Sequence, residues 1–219
     1  LIDDDMDYNR DLDDYLNNLD DEPLTSHYFK ADKGETLPMA FYGELAKKHG
    51  DVLKDIIRAG TGASPVNILR YGTPGTGKTS FVRTLAAELG RSCYFVAQCK
   101  EVANGKDDDA EATSSPAFRF GALQVCASQV DATRSLIIVD EADKMLGGET
   151  GGLAALFGRQ RMSGGDKGHL NTVLDTVKVP TIWITNSDAE DLDPSSRRRF
   201  DYSIRFEPLT ATQRLSIWR

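Results

Sequence analysis

The 219 residues suffice for one domain of ordinary size, or one large domain with an arm, and are too few for two full α/β domains. Hydrophobic residues make up 40% of the chain, enough for a sizeable core, which excludes a wholly disordered polymer; the longest aliphatic run, Leu136 to Val139, is far short of the ~20 apolar residues that span a bilayer. The net charge of −8 sits almost entirely in residues 1–22, where ten acids face Arg10 alone, and the near-neutral remainder carries no basic stripe, which weighs against nucleic acid as the main substrate.

In chain order, the acidic arm reads as a solvated tail rather than a surface for a basic partner. A polar stretch to about Pro38 follows. Leu45, Val52, Leu53, Ile56 and Ile57 then recur at helical spacing, predicting helices over about 40–59 that stop at Gly60 and Gly62. From there short aliphatic runs alternate with helical patterns. Strands are expected at 66–71, 93–97, 136–139, 181–184 and 202–206, and helices at 79–89, 120–130 and around 170–177. Five strands with intervening helices predict an α/β fold, a mostly parallel sheet sandwiched by helices. Residues 99–117 and the glycine-rich 147–168 break the pattern and are expected to be mobile loops. Cys93, Cys99 and Cys126 form neither a CxxC pair nor an even framework, which favours reduced thiols and a cytoplasmic location, and the three histidines lack metal-ligand spacing.

The chemistry concentrates in two places. Gly72-Thr73-Pro74-Gly75-Thr76-Gly77-Lys78-Thr79 matches GxxxxGK[ST] directly after a strand and directly before a helix. Its glycines let successive backbone N–H groups turn inward around a phosphate, and the helix start adds its positive dipole end. ATP binding is therefore expected over Gly72–Ser80, with Lys78 on the β- and γ-phosphates and the Thr79 hydroxyl on Mg²⁺. The aliphatic strand at 136–139 runs into Asp140-Glu141-Ala142-Asp143, which places carboxylates at the ligand-binding end of a parallel sheet. Asp140 is positioned for Mg²⁺ and Glu141 to orient or deprotonate the attacking water, a group that only a hydrolase needs. Asp143 reads as a helix cap or solvated acid.

These motifs, with Thr181-Ile182-Trp183-Ile184-Thr185-Asn186 and the run from Leu192-Asp193-Pro194 to Arg197-Arg198-Arg199-Phe200-Asp201, resemble the core of an AAA+ ATPase over about residues 64–210. Val66 to Leu69 and Pro180 to Ile184 are similar to stretches in bacterial members of the AAA group. The resemblance implies a P-loop fold of the AAA+ type over residues 37–208, preceded by the arm, 1–36, and followed by a helical lid that begins at 209 and is cut off at 219, taking a sensor 2 arginine with it. It also implies that Asn186 is sensor 1, reading the γ-phosphate or the attacking water. Arg198 and Arg199, with Arg197 as the fallback, would be arginine fingers presented to ATP held by a neighbouring subunit in a homo-oligomeric ring, commonly of six. The function so implied is Mg²⁺-dependent ATP hydrolysis coupled to remodelling of a protein partner. The alternatives are a nucleic-acid machine of the clamp- or helicase-loader type, or a nucleotide-gated interaction module with little hydrolysis. The Asp-Glu-Ala-Asp string also suggests a DEAD-box helicase, but that family needs a second RecA-like domain for which the chain has no room.

Some residues depart from the family pattern. Arg70 occupies a strand position that is usually apolar, so it should lie at a sheet edge or find a partner. Phe118, Phe120 and Phe157-Gly158 are weak matches to the aromatic pore loop of protein-threading rings. The chain starts at Leu1 rather than Met and is expected to be an excerpt of a longer protein.

Overall fold

Strand β4 (Ser135–Val139) is buried along its whole length, because alternate side chains enter two different cores: Leu136 and Ile138 on one face of the sheet, Ile137 and Val139 on the other. A computed structural model describes residues 24–98, 115–146 and 164–207. Among them the strands are β1 (Phe29–Ala31), β2 (Asn67–Gly72), β3 (Ser92–Val96), β4, β5 (Thr181–Ile184) and β6 (Tyr202–Phe206). They form one sheet in the order β1-β3-β4-β5-β2-β6. All neighbours are parallel except β1, which runs antiparallel along the β3 edge with Phe29 opposite Val96.

Helices cover both faces. On one side α1 (Gly43–Gly60) and α2 (Lys78–Glu88) contribute Leu53, Ile57, Phe81, Val82 and Leu85 to a core with Ile68, Ile182 and Ile204. On the other, α3 (Pro116–Gln129), α4 (Asp143–Leu146) and α5 (Gly164–Thr176) pack Phe120, Leu123, Met145, Val173 and Leu174 against Leu69 and Trp183. A short helix α6 (Pro194–Arg197) precedes β6, capped by the Asp193 carboxylate on Ser195 N at 2.9 Å. The fold is thus α/β with a mostly parallel sheet between helical layers, as the alternation of patterns predicts.

Two expectations are corrected. The sheet has six strands rather than five, because Phe29-Lys30-Ala31 is too short to show alternation and is held by its partner: Ala97 N donates to Tyr28 O at 2.8 Å and Asp32 N to Cys93 O at 2.9 Å. This strand lies inside the segment 1–36 that reads as an arm. Parts of both expected loops are helical. Residues 116–117 open α3, where Ser115 caps Phe118 N and Pro116 takes the first helical position, and Gly164 to Gly168 lead into α5, glycine being a weak helix former that neighbouring apolar turns can carry. The rest of both segments, the acidic residues 1–22, Phe157-Gly158 and the lid at 209–219 lie outside the described residues.

Arg70 lies at neither edge. It is fully buried on β2, between β5 and β6, where Nη1 donates to Lys78 O at 3.0 Å and its guanidinium carbon sits 4.2 Å from the Phe81 ring centroid and 3.9 Å from that of Phe206. Two aromatic faces and one carbonyl stand in for a carboxylate, and burial pulls the guanidinium well below its ordinary pKa. Cys93 and Cys126 are buried free thiols whose pKa burial pushes up to about 12.

Candidate active site

Strand β2 ends at Gly72, where the chain leaves the sheet between β5 and β6 at the point where successive connections depart in opposite directions. Gly72 has φ +125°, and a Cβ there would collide with the backbone carbonyl of Phe206, so the close approach of β2 to β6 requires glycine. The loop then exposes Thr73, Pro74 and Gly75, and Gly77 turns through φ +83° immediately before the first turn of α2. Thr76 Oγ1 donates to Thr73 O at 3.0 Å and braces the loop from within. Ser80, one turn into the helix, shares a 2.8 Å hydrogen bond with the Tyr42 hydroxyl. Lys78 folds over this cradle. Its ammonium donates to Gly72 O at 2.7 Å, to Thr73 O at 2.9 Å and to Asn186 Oδ1 at 3.0 Å. Burial lowers its pKa, opposed by the nearby Asp140 and Asp143 carboxylates.

The carboxyl ends of β4 and β5 supply the remainder. Thr79 Oγ1 donates to Asp140 Oδ2 at 3.0 Å. Glu141 is exposed beside them, and it is the one non-glycine residue among those described with positive φ, at +49°, a conformation that costs about 1–3 kcal/mol. Its amide donates to Asp140 Oδ1 at 2.9 Å, and the next amide, Ala142 N, to Ile184 O at 2.8 Å. The buried Arg119 of α3 takes the opposite side, with Nη1 on Glu141 O at 2.6 Å and Nη2 on Asp140 O.

Asp143 is neither a bare cap nor a solvated acid. Its Oδ1 accepts from Thr185 Oγ1 at 2.6 Å, Asn186 N at 2.9 Å, Ser187 N at 3.0 Å and Ser187 Oγ at 2.9 Å. Burial alone would raise its pKa, but these donors hold it below the ordinary carboxylate value. The carboxylate therefore fixes the loop that carries Asn186, and Asn186 in turn meets Lys78.

The three arginines lie elsewhere. They precede β6, whose first residue, Tyr202, pairs with Ile68 at the start of β2, and Asp201 fixes the run there by exchanging hydrogen bonds with the Asn67 backbone at 2.8 Å. The length of β2 separates this end of the strand from the loop at its other end by roughly 16 Å, at ~3.3 Å per residue. Arg199 is committed within the chain, with Nε on both oxygens of Asp175 at 2.9 and 3.0 Å and Nη1 on Ser195 O at 2.6 Å. Arg197 and Arg198 are exposed, and neither side chain has a partner among the described residues. Of the pore candidates, Phe120 is buried and stacked on His169, and the half-buried Phe118 is stacked on Tyr28.

The residues present fit a magnesium nucleotide. The paired Thr79 hydroxyl and Asp140 carboxylate are hard oxygen donors of the kind a Mg²⁺ shell takes beside phosphate and water. The family model for "ATPase family associated with various cellular activities (AAA)" matches residues 68–208. The chain belongs to the AAA family.

AAA domains bind and hydrolyse ATP, and the loop, the Thr79–Asp140 pair and Glu141 are the parts of this one that suit that chemistry. A "26S proteasome regulatory subunit homolog" of Methanocaldococcus jannaschii is 30% identical over 161 residues, covering 70% of this chain and 38% of that protein. The "ATPase family gene 2 protein homolog B" of Mus musculus is 34% identical over 126 residues, 57% of this chain and 15% of that protein. The chain thus spans well under half the length of these curated relatives. Among solved structures, a chain of the E. coli MS115-1 HORMA:CdnC:Trip13 complex shares the fold with a TM-score of 0.54 at 16% identity, covering 90% of this chain and 75% of that one. No helix among the described residues is long and apolar enough to cross a membrane.

Arg119 and the anchoring role of Asp143 escape the sequence reading of this AAA domain. Arg119 is flanked by two phenylalanines that draw attention to themselves, and Asp143 reads as one more acid after a strand. Neither contact partner is encoded nearby, since Arg119 reaches 21 and 22 residues ahead and Asp143 reaches more than 40.

Proposed function

We propose that this AAA domain hydrolyses Mg²⁺-ATP within a homo-oligomeric ring, of six subunits by family precedent, and couples turnover to remodelling of a protein partner. The observation that carries this reading is the contact of Lys78 Nζ with Asn186 Oδ1 at 3.0 Å, which joins the phosphate cradle to the β5 end next to the exposed Glu141. A protein that only bound nucleotide would need no acid there.

The residues divide the work. Backbone N–H groups of Gly72 to Ser80, Pro74 excepted, hold the phosphates, Lys78 exchanges loop carbonyls for phosphate oxygens, Thr79 and Asp140 hold the metal, Glu141 takes the proton of the attacking water, and Asn186 orients that water or the γ-phosphate. Bound Mg²⁺ would neutralise charge developing on the phosphate oxygens. Arg197 to Arg199 lie at the opposite end of β2 from their own nucleotide loop, which supports action on a neighbouring subunit's site. Arg198 is exposed for that purpose, whereas Arg199 would first have to leave Asp175. We read residues 37–208 as the ATPase domain, the acidic arm before it and a lid after it. The buried free thiols favour a cytoplasmic setting, and the likeness to a proteasome regulatory subunit homolog favours a protein substrate.

The test is ATP turnover per subunit across protein concentration for the wild type, Glu141→Gln, Arg198→Ala and Arg199→Ala in the full-length protein. Specific activity should rise with concentration, and an inactive arginine variant should recover when mixed with Glu141→Gln subunits. Concentration-independent turnover indifferent to both arginines would reject the shared site.

A further inference from the structure

Asp140 and Glu141 form the turn that leaves β4, and its four backbone groups are held from two sides. The amides of Glu141 and Ala142 are taken by Asp140 Oδ1 and Ile184 O, both local to the sheet end. The carbonyls of Asp140 and Glu141 are both taken by the forked guanidinium of Arg119, which belongs to another element. We propose that Arg119 is a positioning residue for Glu141, whose backbone it locks in the left-handed conformation that presents the carboxylate to the nucleotide site.

The inference rests on the hydrolytic reading of Glu141 given above. Arg119 lies in the first turn of α3, fixed by the Ser115 cap and Pro116. Its neighbours in sequence anchor that turn on both sides: Phe118 stacks on Tyr28 with centroids 5.9 Å apart, and Phe120 on His169 at 5.8 Å. The stacks set the rotation of the helix and aim Arg119 at the turn. A guanidinium suits two adjacent carbonyls because its donors lie in a rigid plane; an ammonium is a single point that cannot reproduce the fork. Released from it, Glu141 would be free to relax toward ordinary φ and turn its carboxylate away from the water it is to activate.

The experiment compares the full-length wild type with Arg119→Lys, which keeps charge and length but loses the fork, and with Arg119→Met, which loses both charge and fork. The expected result is a fall in kcat of about 100-fold, the usual cost of misplacing a reacting group by an ångström, with KM for ATP unchanged. Backbone amide exchange should quicken at Glu141 and Ala142 while the amides of strand β2, Asn67 to Gly72, stay protected. Wild-type turnover in Arg119→Lys, or ATP affinity lost in step with kcat, or faster exchange throughout the chain, would each overturn the proposal and leave Arg119 a general structural contact. A wild type that binds ATP without turnover would sink the hydrolytic reading instead; the exchange comparison would still decide whether Arg119 holds the turn.

Discussion

Thr79 Oγ1 donates to Asp140 Oδ2 at 3.0 Å, a bond between the first turn of a helix and the end of a strand 61 residues further on. In the proposed function both oxygens would serve one Mg²⁺ ion, so their loss should differ in kind. Thr79→Ala removes a neutral ligand and is expected to raise the Mg²⁺ concentration for half-maximal turnover by about tenfold. Asp140→Asn removes the charge and should abolish turnover at every Mg²⁺ concentration while sparing metal-free ATP binding. Titrating Mg²⁺ into both variants checks the pair, and an unaltered Mg²⁺ requirement in Thr79→Ala would remove that residue from the shell.

Asp143 should make the loop carrying Asn186 sensitive to acid. Its folded pKa lies below the ordinary value of 3.8, so its contribution to stability is fully present above about pH 4 and is lost as pH falls through the lowered value. Asp143→Asn should cost about 2 kcal/mol at pH 7, the scale of a hydrogen bond to a charged group, and the gap to wild type should close below that range. Urea unfolding at a series of pH values measures the gap; a constant gap would assign the loss to packing. Turnover at pH 7 should fall as well, because the backbone amide of Asn186 is left with a neutral, weaker acceptor.

Arg70 should tolerate loss of its charge better than a change in its shape. Desolvation of the cation opposes the two ring contacts and the bond to Lys78 O, and a buried ion is often replaced by an apolar side chain of similar volume at little cost. Arg70→Met is therefore expected to change stability by less than about 1.5 kcal/mol. Arg70→Lys, which keeps the charge but cannot lie flat between Phe81 and Phe206, should lose about 2 kcal/mol or more. Chemical denaturation ranks the two, and a lysine variant more stable than the methionine one would show that the charge itself holds the site together.

The sequence by itself determined whatever depends on neighbours in the chain. Gly72 to Thr79 make a phosphate loop wherever a strand precedes and a helix follows, because the glycine conformations and the helix start are local. The aliphatic runs at 136–139 and 181–184 likewise announce buried parallel strands, and by chain continuity put Asp140, Glu141 and Asn186 at their carboxyl ends.

Tertiary structure alone decided the rest. β1 exists because β3 offers a free edge, not because three residues prefer a strand. Arg70 looks like an error in an apolar strand until Phe81 and Phe206 close on it from a helix and another strand. Arg199 resembles Arg198 in sequence and differs from it only because Asp175, 24 residues earlier, reaches its guanidinium. Arg119 and Asp143 acquired their partners in the same way. A charged side chain has the same composition whether it meets water, a carbonyl or an acid, and the choice among them is made by packing across elements, which no local pattern records.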